Sequence, residues 1–365
     1  MPAGVTPPGR KSKWLLFVLL GCLHTAYGQR GGERVFEFTQ MATSARATAL
    51  GGSQIAATVQ DYGMVGGNPA MLNPGMDKSF VFQHNFHFDG ISNGYAGYAQ
   101  FVEDINATVH GGVHYLTYGT FTAADDRGNI LGEFKAKDLA LQVGISKVLN
   151  DRMTGGVLLQ YIQSSLETYT SNGIMLDAGI TYKSEDGFSH YALVLRGMGI
   201  QFSTYYEGDE RGKMPVDLQI GFSKRLQHVP FRLSILAHDL NRWDLRYDSP
   251  LDENTTIGFG EEQPREPSQF GQDIDNVFRH LIFGGEFLIG KEENLMLRLG
   301  YHHQRRKELS VVNLRSLAGF SGGVGINFRS FVLDYGFAVY HQAGSSKHLG
   351  IRVNLNSLRR KQIIE

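Results

Sequence analysis

The chain has 365 residues, of which 42% are hydrophobic, 11% aromatic and 19% charged, and its formal net charge is −1. That balance fits a folded protein and gives no reason to expect nucleic acid as a partner. A mean hydropathy of −0.22 argues against a helical membrane protein, but not against a membrane β-barrel, in which only alternate residues face lipid.

Residues 1–28 predict a secretory signal. Arg10, Lys11 and Lys13 supply a basic start, Trp14 to Leu20 a short apolar run, and Ala26-Tyr27-Gly28 the small residues read at cleavage. The apolar run is far shorter than the ~20 residues a spanning helix needs. Leu19-Leu20-Gly21-Cys22 also loosely matches a lipoprotein acceptor box. With cleavage near Gly28, Cys22, the only cysteine, would be discarded and no disulfide would form.

Residues 29–77 predict an N-terminal plug. Phe38 to Gly75 is rich in small residues, lacks strand alternation and carries two Asn-Pro steps, Asn68-Pro69 and Asn73-Pro74. Asn favours turns and Pro presets φ, so Asn68, Pro69, Ala70, Asn73 and Pro74 are expected to start and stop one short helical turn.

Residues 78–356 read as strands of period two. Ile174, Leu176, Ala178, Ile180 and Tyr182 alternate with Gly173, Met175, Asp177, Gly179 and Thr181, and similar runs recur to Leu355. About fourteen segments are expected: 78–88, 93–104, 106–120, 138–149, 152–165, 172–184, 188–198, 215–226, 229–240, 277–290, 294–304, 313–328, 330–340 and 346–356. Links after even-numbered strands are tight, whereas 121–137, 199–214 and 241–276 are long. Short turns at one rim and long loops at the other predict an all-β transmembrane antiparallel barrel in the outer membrane, with extracellular loops and periplasmic termini. A soluble barrel would fill its interior with apolar side chains and charge its outside. Here Asp177, Asp217, Asp334, Arg196, Arg298 and Arg352 share the face opposite Tyr, Phe and Leu, which predicts structural ion pairs lining the interior. Residues 357–365 form a basic tail.

Nothing in the sequence asks for an enzyme or a cofactor. Gly319-Phe320-Ser321-Gly322-Gly323 matches the GxSxG pattern but is followed by strand alternation where a nucleophile elbow needs a helix. His110 and His114 share a parity yet lie ~13 Å apart along a strand, too far for one metal. Loop 241–276 is the surface feature most suited to docking a partner. It sets Trp243, Tyr247, Phe259 and Phe270 among acidic residues that include Asp244 and Asp248.

Ala42 to Ser53, ATSARATALGGS, followed by NPAMLNP at Asn68 to Pro74 and a strand-rich remainder, resembles the PorQ family. These are outer-membrane barrels of the type IX secretion system, within the wider FadL-like barrels. The resemblance follows nearly the whole mature chain in order and length, with its specific residues between Ser44 and Pro74. It implies a non-enzymatic barrel that anchors a PorZ-like surface protein beside a PorU-like sortase and a PorV-like barrel. In that attachment complex, cargo is processed and joined to lipopolysaccharide among the outer-membrane lipids. It also implies that the Asn-Pro-Ala segment helps fold the plug inside the barrel. The chain departs from ordinary barrels at its end, where the tail replaces a terminal aromatic. The alternative is a FadL-like transporter of hydrophobic small molecules, which would need a movable plug and an apolar pocket near the rim.

Overall fold

A computed structural model describes residues 34–57, 61–246, 269–290, 293–309, 317–328, 330–341 and 344–359. The predicted signal and the last residues of the predicted tail lie outside these. Fourteen strands form one closed antiparallel barrel in which each strand pairs with its sequence neighbours. They are β1 (Ser79–Phe86), β2 (Ser92–Val102), β3 (Ala107–Ala124), β4 (Ile130–Asn150), β5 (Met153–Leu166), β6 (Tyr169–Lys183) and β7 (Ser189–Ser203), then β8 (Asp217–Arg225), β9 (Phe231–Ala237), β10 (Leu281–Ile289), β11 (Leu295–His302), β12 (Phe320–Phe328), β13 (Phe331–His341) and β14 (Gly344–Asn354). β1 closes on β14 in a ladder running from Ser79–Asn354 to Phe86–Lys347.

The strand count agrees with the sequence pattern, but several limits do not. The expected loop 121–137 is a continuation of β3 and β4, joined only by the turn around Asp125–Asn129, whose alternation the mixed Thr, Phe and Ala residues obscured. Residues 277–279 end a helix, α2 (Gln269–Arg279), and 303–308 form another, α3 (His303–Glu308). Strand β12 starts at Phe320, not 313. The chain leaves β14 into α4 (Leu355–Arg359).

The two faces of the wall have opposite chemistry. Asp177, Arg196, Asp217, Arg298 and Asp334 are buried toward the lumen, while Phe82, Leu141, Val143, Leu193 and Leu299 are exposed outside. Aromatic rings gather at two levels of that outer face. At the turn rim Phe80 meets Tyr98, Phe231 meets Phe287, and Phe328 stacks on Phe331; at the loop rim Tyr301 meets Phe320 and Tyr161 meets Phe202. Strand β12 carries a ring of each level, Phe320 and Phe328, with Val324 and Ile326 exposed between them. Eight residues at ~3.3 Å each give ~26 Å along the strand, matching the apolar band of a tilted transmembrane barrel.

The lumen is filled by the N-terminal segment. Ser44 caps the short helix α1 (Ala45–Ala49) by accepting from the Ala47 N–H, and Gly51 and Gly52 end it at φ 96° and 105°. This run of small residues lies against strand positions that lack a side chain. A Cβ at Gly336 would lie 2.2 Å from the Ala45 carbonyl, one at Gly300 2.3 Å from the Gly51 N, and one at Gly323 2.6 Å from the Ala49 Cβ. Farther round, a Cβ at Gly156 would meet Pro69, one at Gly179 Asn68 and one at Gly221 Ile55. The Gly-rich alternation of the wall is therefore a socket cut to the plug.

Gly336→Val and Gly300→Val should each lower the thermal unfolding midpoint of the detergent-solubilised barrel, at a cost of roughly 1–3 kcal/mol or more from overpacking. Gly322→Ala, on the outer face of the same region, should leave the midpoint unchanged.

Candidate functional site: the plugged lumen and its apolar chamber

After α1 the plug packs Ile55 and Ala56 on the inner wall, and two Asn-Pro steps then organise its lower part. Asn68 Oδ1 accepts from the Ala70 N–H (2.9 Å) while its Nδ2 donates to the Ile55 carbonyl (2.8 Å). Asn73 Oδ1 accepts from the Gly75 N–H (3.0 Å), and its Nδ2 donates to the Met71 carbonyl (3.1 Å). Pro69 and Pro74 each follow such a cap, so each Asn-Pro step opens its own single-turn 3₁₀ helix, Pro69–Met71 and Pro74–Met76. The sequence suggested one turn with a start and a stop; the identical caps make two starts.

Charge holds the plug's upper part. Glu286 of β10 accepts from Arg46 of α1 through Nε (2.9 Å) and Nη2 (2.5 Å), from Arg298 of β11 (3.1 Å) and from Arg232 of β9 (3.1 Å). Arg298 and Arg352 donate to Asp334 of β13 at 2.6 and 2.9 Å. Asp61 of the plug faces Arg352 at 3.5 Å and Arg46 at 3.9 Å. Glu286, Arg298 and Arg46 are each at most 3% exposed. Charges this deep survive because each faces opposite charges; removing one partner leaves the others uncompensated at a cost of roughly 3–5 kcal/mol.

The expected wall pairs are only partly what forms. Arg298 and Arg352 do meet Asp334. Arg196, by contrast, donates to the Thr39 carbonyl of the plug (2.8 Å), and Asp177 accepts from the Gly197 N–H (2.7 Å). Sequence reasoning missed Glu286, Arg232, Arg46 and Asp61. Glu286 was readable as a carboxylate on lumen parity, and Arg46 as the only charge in a run of small residues. Ser321, the centre of the GxSxG match, is a strand residue that accepts from the Gly51 N–H and donates to the Ala49 carbonyl, holding the plug. Below the hub, a polar cavity of about 340 Å³ is lined by Arg46, Tyr62, Arg225, Arg232, Glu293 and Arg352.

Toward the loop rim the lumen turns apolar. Phe36 and Phe38, from the start of the plug, are buried with Leu116, Ala140, Ile162 and Met175 of β3 to β6. Half-buried Met41, Ile91, Tyr118 and Met214 complete the chamber. Phe36 adopts the left-handed region (φ 59°), unusual for an aromatic residue, and its ring occupies the space left by Gly173.

Beside this chamber the strand ladder is interrupted. The β7–β8 ladder ends at Arg196–Asp217, and a register shift between Leu176 and Ala178 leaves Arg196-Gly197 as a bulge, with Gly197 at φ 75°. Above it, Gly197 to Ser203 pair only with β6. The plug's first residues run along this break: Val35 donates to the Lys213 carbonyl (2.9 Å) and Gln40 to the Pro215 carbonyl (2.9 Å).

At the loop rim Asp217, His238 and Asp239 bring ligand atoms within 4.8 Å of one another. Arg242 and Arg34 already face Asp239, so two guanidiniums offset the charge a cation would need. Of the candidate docking residues, Trp243 is exposed and stacks on His280, Asp244 pairs with Arg246, and Phe270 on α2 is 75% exposed. Tyr247, Asp248 and Phe259 lie outside the described residues.

No protein-family model matches the chain, and no curated protein does. Solved structures do. A TodX mutant described as a monoaromatic hydrocarbon channel superposes with a TM-score of 0.51 at 13% identity, covering 86% of this chain and 99% of that one. The chain shares the barrel fold of that structure. The toluene transporter TodX of Pseudomonas putida (12% identity, 86% and 96% coverage, TM-score 0.47) and a Pseudomonas aeruginosa FadL homologue (10%, 86% and 98%, 0.48) are more distant. The likeness is one of fold, a closed antiparallel β-barrel.

Glu286→Ala should remove the carboxylate shared by Arg46, Arg232 and Arg298, leaving Arg298 to Asp334 and Arg46 to the longer contact with Asp61, and loosen the plug. The expected outcome is a melting midpoint lowered by the loss of roughly 3–5 kcal/mol, together with ion conductance in planar bilayers above that of the parent. Glu286→Ala with Arg46→Met should recover part of the stability, because the plug then carries one fewer uncompensated charge.

Proposed function

We propose that this protein is an outer-membrane barrel for hydrophobic small molecules, in which the body of the plug stays fixed and its first residues act as a stopper. The observation that carries this reading is the apolar chamber toward the loop rim, occupied by Phe36 and Phe38 beside the upper part of β7, which is paired on one side only. A chamber of this lining binds apolar solutes by removing their surface from water, roughly 25 cal/mol per Å². The arm carrying Phe36 and Phe38 is the part able to leave. Its bonds to the wall, at Val35, Thr39 and Gln40, lie outside the Glu286 hub, and Phe36 holds a left-handed backbone that costs about 1–3 kcal/mol. The socket and charge hub keep the remainder in place. The break beside β7 offers a side exit that does not require the plug body to move. Loops then face the exterior and the termini the periplasm, the arrangement expected when short turns lie on the periplasmic side. The kinship in fold with a monoaromatic hydrocarbon channel is consistent with this chemistry, though at this identity it speaks to architecture.

A second reading has one observation in its favour. The ATSARATALGGS and NPAMLNP segments are the ones that form the fixed part of the plug, and their resemblance to the PorQ family points to a closed barrel serving as an anchor. In that reading the loop rim carries a PorZ-like surface protein, with PorU-like and PorV-like components beside it, near lipopolysaccharide.

The stopper competes with any ligand, so apparent affinity scales with the fraction of vacant chamber. Phe36→Ala should tighten binding of a medium-chain fatty acid or a monoaromatic, measured by calorimetry in detergent, by about tenfold or more with the fold intact. Absence of binding by both parent and variant would contradict the transport reading. Stoichiometric recovery of secretion-complex proteins after gentle extraction would then favour the anchor.

A further inference from the structure

Helix α2 is built the wrong way round for a helix on a soluble surface. Its polar side faces the protein. Asp275 accepts from Arg279 (2.8 Å), Lys307 (3.0 Å) and His303 (3.0 Å), the last two on α3. Asn276 is buried, donating to the Trp243 carbonyl (2.6 Å) and accepting from the Leu245 N–H (3.0 Å). Burial alone would raise the Asp275 pKa, but the bonds from His303, Arg279 and Lys307 outweigh it and hold the carboxyl well below the usual carboxylate range. A depressed pKa means that the pairing contributes stability above the unfolded value, about 3.9, and loses it only as pH falls toward the folded value. The clamp therefore persists at neutral and mildly acidic pH.

With its polar side clamped, α2 turns Phe270, Ile274, Val277 and Phe278 outward. These residues stand at i, i+4, i+7 and i+8, one face of a helix, and all four are more than 40% exposed. The face continues a surface already assigned to lipid. The Phe278 ring lies 6.4 Å from that of Phe283, an outer-face residue of β10 whose register partner is Tyr301, which in turn packs on Phe320. Phe278 thus meets the loop-rim aromatic level, and the rest of the apolar stripe extends from it.

We infer that α2 is an interfacial helix, lying with Phe270, Ile274, Val277 and Phe278 inserted among the acyl chains of the leaflet at the loop rim. An amphipathic helix in this position buries its apolar side at the headgroup boundary and keeps its charges on the other side. Asp275 and its three partners set the roll angle of the helix, so that the stripe faces lipid and not water. The inference requires the barrel to lie in a membrane, not that it transports anything, so it stands or falls separately from the function proposed above.

The chain has two tryptophans, Trp14 and Trp243. In full-length protein with both replaced by Phe, single reporters are introduced as Phe270→Trp and Ile274→Trp. Phe283→Trp serves as the lipid-facing reference and Arg127→Trp as the aqueous one. Each variant is reconstituted in phosphatidylcholine vesicles with or without brominated acyl chains. The expected result is that the α2 reporters match Phe283→Trp, with blue-shifted emission, about twofold quenching by brominated lipid and weak quenching by acrylamide. Emission and acrylamide quenching like those of Arg127→Trp would overturn the inference by placing the face in water. Shielding from both quenchers would overturn it by placing protein over the face. Should either reporter fail to give a heat-modifiable folded band, Val277→Trp reads the same face.

Discussion

A carboxylate inside a membrane barrel can stay ionised only where cations are brought to it, and Glu286 receives three. Two come from neighbouring strands and one, Arg46, from the plug. This makes plug and wall mutually dependent: without Arg46 Glu286 loses its bidentate contact, and without Glu286 three guanidiniums lose the carboxylate they share. Asp334 and Asp61 extend the arrangement to Arg298 and Arg352. Apolar burial contributes inside the barrel as well, where Ile55, Val65, Leu72 and Met76 of the plug pack in buried clusters. Shape and charge add the specificity, through glycines that admit the α1 backbone and arginines that hold it.

That division of labour suggests how one lumen can be both sealed and usable. The body of the plug lies in the glycine socket and on the charge hub. The residues before it, from Arg34 to Met41, place Phe36 and Phe38 against apolar side chains and run beside a stretch of β7 that lacks a partner on one side, with polar bonds at Val35, Thr39 and Gln40. Interactions of the first kind are specific and costly to break. Those of the second can be exchanged for a ligand of similar surface. In the function proposed above, a small apolar molecule takes the place of Phe36 while the ion pairs beneath it stay in place.

Much of the architecture was legible in the sequence because a transmembrane strand exposes its pattern directly. Every second residue must suit lipid, and the turn chemistry between strands is short and polar. The pattern failed where helices occupy the loop rim. Val277 and Phe278 run directly into the apolar alternation of β10, and only the outward stripe of α2 over a full helical repeat distinguishes them. The plug was legible as a strand-poor unit, but its mode of attachment was not. Arg46 and Asp61 are distant in sequence from Glu286 and Arg352, and no local spacing links them. Ser321 illustrates the opposite error that motifs invite: its pattern is that of a nucleophile, and its surroundings are the carbonyl and amide of the plug.

The central claim is a fixed plug body with an exchangeable arm, and hydrogen–deuterium exchange on the detergent-solubilised protein tests it most directly. The account predicts that the hydrogen-bonded amides of Thr48, Leu50 and Gly52 exchange as slowly as the β10–β13 ladder. Those of Val35, Thr39 and Met41 should exchange at least about tenfold faster, as local opening of a weakly held segment requires. Rapid exchange throughout both segments would mean that the plug moves as a whole. Equally slow exchange in both would mean that no stopper leaves the chamber, and would contradict the account.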